Sequence, residues 1–245
     1  MTNPRSLSRF GGAMYLLIIV LGVFEELFVR NRIIVSGNAT QTAANLQSME
    51  FLWRLGIASE FVLLTSAVVL TAIFFVLLRP VSEFLALTAT YLNLVSVAVE
   101  VGVGLNLVQA LFPLGKAEYL NAFTPEQRNA LASMAIRSHA IGFGVALIFF
   151  GWTALLLGYL IIRSGYMPRP IGVLMQIAGI CYLINSFVLL LWPALANRLF
   201  PTILLPSFVG ELSFALWLLL RGVSLEAWNR RVPAPASFPR LVPRE

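Results

Sequence analysis

Residues 55–78 read LGIASEFVLLTSAVVLTAIFFVLL, an apolar run closed by Arg54 on one side and Arg79-Pro80 on the other. As a helix it rises about 36 Å, more than the roughly 30 Å of a bilayer's hydrocarbon core. A helix on the surface of a soluble protein has one apolar stripe and one charged face. This run is apolar on every side, and Glu60 is its one ionisable residue. It also lacks the period-two alternation of a membrane β-strand. The segment therefore reads as a transmembrane helix. Five others read alike, at approximately Phe10–Val29, Phe84–Phe112, His139–Ile162, Ile171–Trp192 and Leu204–Leu220.

Composition supports this reading. Of 245 residues, 59% are hydrophobic and 11% charged, and mean hydropathy is +0.85. Soluble domains are about a quarter charged, so a water-soluble globule is excluded. Disorder is excluded by the abundance of Leu, Ile, Val and Phe, and a disulfide scaffold by Cys181 being the only cysteine. The expected fold is an all-α polytopic membrane bundle of six transmembrane helices plus two interfacial or lead-in helices, spanning residues 1–231. Residues 232–245 are Pro-rich and read as a disordered tail. The first run follows Arg5 and Arg9 but has no small-residue cleavage site and ends at Glu25-Glu26, so it reads as a retained span.

The connections differ in length. Arg79-Pro80 is a tight turn, and Arg163–Pro170 is broken by Gly165, Pro168 and Pro170. The longer connections each contain a lead-in helix. Thr124-Pro125-Glu126-Gln127 carries a cap, Pro at the first helical position and Gln at the third; Asn38 or Thr40 starts the other. A lead-in helix, a span, a short Arg-containing turn and a span thus occur twice, a faint internal repeat. With the N-terminus inside, Arg5, Arg9, Arg79, Arg163, Arg169, Arg221, Arg230, Arg231, Arg240 and Arg244 lie inside. Arg30, Arg32, Arg54, Lys116, Arg128, Arg137 and Arg198 lie outside. Ten against seven favours cytoplasmic N- and C-termini. Trp53 and Trp192 are then expected at the outer interface and Trp228 at the inner one. The arginines are scattered between spans and form no basic stripe, so the lipid bilayer is the expected partner and nucleic acid is not.

Ionisable groups inside spans cost about 2.5–3.5 kcal/mol each on insertion scales. Glu25, Glu26, Glu60, Glu100 and Glu211 lie there, with His139 at the start of the fourth span. All fall in the same half of the membrane whichever way the chain is oriented. Gly56, Glu60, Ala67 and Thr71 share one helical stripe, as do Asn93, Ser96, Glu100 and Gly104, and Ser207, Glu211 and Ala215. Such small and polar neighbours suit a helix contact or a cavity. The expected ligand or ion cavity is formed by Glu26, Glu60, His139 and Glu211, with Arg54 tuning the carboxyls. Arg30, Glu100 and Arg137 are secondary members. A single histidine is too few for a zinc hydrolase or a bis-histidine haem, and no Glu-x-x-His pair, phosphate loop or Gly-x-Ser-x-Gly elbow occurs. No metal site and no cofactor is therefore expected.

The residues also carry a family resemblance. Gly22 through Glu26 to Val29-Arg30, Arg54-Leu55-Gly56-Ile57-Ala58 with Glu60, and Leu78-Arg79-Pro80-Val81 resemble the bacterial multi-span family known as domain of unknown function 4386. So do His139 with Gly142, Leu157-Gly158-Tyr159, Arg163-Ser164-Gly165-Tyr166 with Pro168-Arg169 and Gly172, and Leu205-Pro206 with Phe208 and Glu211-Leu212. In that pattern Asp often stands where Glu60 does, and Glu25 and Glu100 lie outside it. The resemblance implies a bacterial cytoplasmic membrane protein and supplies no activity, substrate or functional residue. Three classes of function follow from the buried charges. One is small-molecule or ion binding or transport in a polar cavity. The second is a membrane enzyme using two glutamates as acid and base. The third is a structural or assembly protein whose polar residues only lock helices.

Overall fold

The computed structural model describes residues 3–232. Of the tail expected over 232–245, all but Val232 lies outside them. No strand occurs among the described residues. Nine helices do: α1 (Pro4–Ile33), α2 (Ala39–Ser48), α3 (Glu50–Leu78), α4 (Glu83–Gln109), α5 (Pro125–Ser164), α6 (Arg169–Leu191), α7 (Pro193–Leu199), α8 (Leu205–Leu220) and α9 (Leu225–Arg231). Six of these, α1, α3, α4, α5, α6 and α8, are long and apolar enough to cross a membrane. They close into a ring in which α1 packs on α3, α3 on α4, α4 on α5, α5 on α6, α6 on α8, and α8 back on α1.

The two lead-in segments fold differently. Asn38 caps α2 by accepting from Gln41 N at 2.9 Å, and a break at Met49 separates α2 from α3. Thr124 forms a complete capping box with Gln127, and from there α5 runs unbroken for 40 residues. That is about 60 Å, twice the hydrocarbon thickness, so the second lead-in lengthens its span. Thr124→Ala should destabilise the start of α5 by about 0.5–2 kcal/mol. The expected signature is faster amide exchange over 125–135 with no change near 150–160.

Gly165, at φ 77°, ends α5 in the left-handed conformation that glycine adopts freely. The turn it starts is fixed by the Tyr166 hydroxyl, which donates to Leu77 O across the bundle. At the same end, Val223 N donates to Ser8 Oγ at 3.1 Å and Arg5 Nε to Arg221 O at 3.3 Å. This N-terminal face is backed by a core centred on Tyr15, Phe74, Leu77, Leu157, Met175 and Phe214. The opposite, loop face carries a smaller core of Val29, Ile33, Leu46, Trp53, Leu107, Ala110 and Ile136.

Two of the three tryptophans expected at the interfaces are covered by protein. Trp53 is buried, and its indole N–H donates to Leu107 O at 2.9 Å. Trp228 is buried edge-on against Tyr166, with ring centroids 5.0 Å apart. Both indoles turn inward onto bundle partners, and Trp192 alone of the three is exposed.

Candidate functional site

Near its end α1 departs from α-helical winding. Glu25–Arg30 is a π-helical segment, closed by a short α-turn at Asn31–Ile33. In an α-helix, residues five apart point about 140° away from each other. The wider π turn, bonded i to i+5, brings Glu25 and Arg30 to one side. Arg30 Nη2 donates to Glu60 Oε2 at 3.0 Å and to Glu25 Oε2 at 3.5 Å. Glu26, at the solvent- or lipid-facing edge of the turn, reaches Arg30 Nη1 at 3.7 Å and is 41% exposed.

Glu60 sits at the centre of the group. Its side chain is 3% exposed and its two oxygens serve different partners. Oε2 accepts from Arg30, and Oε1 lies 3.1 Å from His139 Nε2 on α5. This last hydrogen bond forms with the proton on either atom, donated by the imidazole N–H or by a carboxyl O–H. A methyl group at Gly104 of α4 would stand 3.0 Å from Glu60 Oε1, so the glycine leaves the carboxyl its space. Ser59 Oγ donates to Glu25 Oε1 at 3.0 Å. Glu100, half-buried on α4, feels the charges of Glu60, Glu25 and Arg30, and makes no hydrogen bond or ion pair among the described residues. A cavity of about 10 Å³ lies beside the group, lined by Glu25, Arg30, Trp53, Gly56, Glu60 and Leu107 among others. That is about the room one water needs.

Four elements thus converge on Glu60: the π turn of α1, α3 itself, α4 and α5. Of the four residues expected to share a cavity, Glu60 and His139 meet, and Glu26 touches the group through Arg30. Glu211 does not join them. It lies on α8 between α1 and α6, where it accepts a hydrogen bond from the Tyr182 hydroxyl at 2.5 Å with Tyr15 beside it. The placement expected for Arg54 is also corrected: it is exposed and pairs with Glu50 at 2.7 Å, one helical turn earlier. Arg137 is exposed, since two residues from His139 on a helix is nearly the opposite side. Arg30 and Glu25, given less weight from sequence, are core members of the site. Among the described residues no group of three or more His, Cys, Asp or Glu is placed to hold a metal ion.

A ring of six apolar helices with one buried charged network near its loop face defines a multi-span membrane protein. The chain belongs to the family described as Domain of unknown function (DUF4386), whose model matches residues 10–222. It is also similar to an uncharacterized protein of Archaeoglobus fulgidus, 37% identical over 78 residues. That match covers 32% of this chain and 44% of the archaeal protein, so the chain spans less than half the length of that relative. No solved structure matches the chain.

Proposed function

We propose that the protein handles an ion at the Glu25–Arg30–Glu60–His139 network and that the ion is the proton. The charge balance carries this reading. Glu25, Glu60 and Glu100 bring three carboxyls to a site with one guanidinium and one imidazole. With all three ionised and His139 neutral, the carboxylates outnumber the one guanidinium, and Glu26 at the exposed edge of the π turn adds to the excess. Uncompensated charge in a low-dielectric interior is strongly unfavourable, so the site approaches neutrality by holding protons. An arginine always carries its proton, whereas an imidazole exchanges one, and Glu60 divides its oxygens between the two. A cavity of about 10 Å³ suits a proton or a water. A paired-glutamate enzyme would need substrate-sized space between its carboxyls. The orientation we infer has the N-terminal face in the cytoplasm, by the Arg and Lys count, and the network in the outer half of the membrane.

A second reading, helix locking, draws support from the hydrogen bonds that occupy both oxygens of Glu60 and of Glu25. The two separate by infrared difference spectroscopy of the reconstituted full chain across a pH step. Proton handling predicts a carboxyl protonation band in the wild type that Glu60→Gln and His139→Gln each alter, because each removes a group of the network that shares the protons. Identical bands in all three proteins, with folded yield as the one property that changes, would leave locking as the function of these residues.

A further inference from the structure

The α4 face that carries Glu100 continues away from the charged network with one polar side chain per turn: Ser96, Asn93 and Thr90. Each points into the α3–α4–α5 interface. Ser96 Oγ donates to Ala146 O of α5 at 2.8 Å, and Asn93 Nδ2 to Thr71 Oγ1 of α3 at 2.5 Å. Thr153 of α5 reaches Ala89 O of α4 at 3.5 Å. The seam ends in a second cavity of about 10 Å³ whose polar lining is Thr71, Thr90, Asn93 and Thr153. Phe75, Leu78 and Leu157 close it toward the N-terminal face. The hydroxyls of Thr71, Thr90 and Thr153 each donate to a carbonyl of their own helix, which leaves their lone pairs to accept from a water, and the space has room for about one. Thr71 lies eleven residues beyond Glu60 on α3, about 16 Å along the helix.

We propose that this seam is a proton path, with the Thr71–Thr90–Asn93–Thr153 cavity as an uncharged, water-bearing station between the Glu60 network and the N-terminal face. The proposal rests on the proton reading of that network. Hydroxyl and amide groups relay a proton by accepting one hydrogen bond while donating another, and a bound water completes the chain where side chains alone do not touch. The ionisable and charged groups that face Glu60 are Glu25, Glu26 and Arg30 from α1, Glu100 from α4 and His139 from α5. The four residues of the station are uncharged. The seam therefore has its proton-binding groups at one end and its neutral station at the other. The apolar cap of Phe75, Leu78 and Leu157 limits leakage.

The test is proton flux into liposomes holding the full-length protein and a trapped pH dye, run beside the infrared measurement. The wild type is expected to carry protons faster than protein-free liposomes. Asn93→Leu and Thr153→Val, which fill or dry the cavity, should bring flux down to the protein-free level while the carboxyl protonation band persists. Thr88→Val, on the same helix but outside the seam, should leave flux unchanged. Flux that survives both seam variants, or a wild type no faster than empty liposomes, overturns the path. If the carboxyl band persists in either case, the proton reading of the network stands without it. Loss of the band in the wild type ends both. Asn93→Ser, smaller but still polar, should retain flux, and its loss there as in Asn93→Leu would mark a packing effect and overturn the path.

Discussion

Arg30→Met is expected to destabilise the folded protein by about 3–5 kcal/mol, the cost of breaking a buried ion pair from one side. Arg30 is the fixed cation of the network, and Glu60 and Glu25 both lean on it. At 3.0 Å and an effective dielectric near 20, its attraction to Glu60 is several kcal/mol, and removing both groups from water costs a comparable amount. The pair as a whole is thus close to neutral for stability, whereas half of it is not. Removing the guanidinium strands a carboxyl that is 3% exposed. Glu60→Gln should be milder, since the amide keeps a hydrogen bond to each neighbour. The double variant Arg30→Met/Glu60→Met should recover the part of the loss that comes from stranding Glu60, because it replaces that pair by apolar side chains of similar length, while buried Glu25 still lacks its cation. Unfolding in a graded detergent mixture, followed by tryptophan fluorescence, reads all three. Additive losses in the double variant would mean that the two side chains do not act as a pair.

The membrane spans were legible because a run such as 55–78 leaves no polar face for water, and that property belongs to the segment alone. The network was half legible. Glu60 and His139 stand out as charged or polar groups in apolar surroundings, and the shared depth of the glutamates followed from alternating spans. The face of the first helix was misjudged. Glu26 was expected in the cavity and Glu25 was not, but Glu25–Arg30 winds as a π turn, which carries Glu25 inward and leaves Glu26 at the edge. No simple sequence pattern marks such a turn. The placement of Arg54 was decidable in advance. Six residues on a helix separate it from Glu60 by about 120°, whereas Glu50 stands one turn away in the favourable i,i+4 order. Glu211 could not be placed at all, because the order of helices around the ring is set by packing between segments far apart in sequence. Gly142, Gly151 and Gly158 of α5 lie at close helix contacts.

Substitutions along the α5–α6 hairpin are expected to destabilise the fold without touching any charge. Gly144, Gly151 and Gly158 recur every seven residues on α5, and Gly172, Gly179 and Ser186 do so on α6. The helices run so close that a methyl group at Gly158 would lie 2.6 Å from Gly172 O, and one at Gly172 would lie 2.6 Å from Gly158 O. A methyl at Gly179 would stand 2.7 Å from Gly151 O. Lipid tails are as apolar as leucine, so no hydrophobic force drives these helices together. Their association depends on packing at short range, and small residues permit it. The obstructing atoms are backbone oxygens, which cannot swing aside as a side chain does, so the whole helix must move. Gly158→Ala and Gly172→Ala should each cost about 1–3 kcal/mol, the range for overpacking, and Leu at either position more. Gly102 supplies the contrast: its added methyl meets nothing within 4 Å, and it lies in the interior of α4. Gly102→Ala should be neutral or stabilising by up to about 1 kcal/mol through helix propensity. Because α5 also carries His139, a hairpin that opens shifts the imidazole relative to Glu60. Gly158→Ala should therefore weaken the proton response along with the fold, in proportion to the folded fraction lost. Equal stability of Gly158→Ala and Gly102→Ala would mean that close backbone approach does not hold the hairpin.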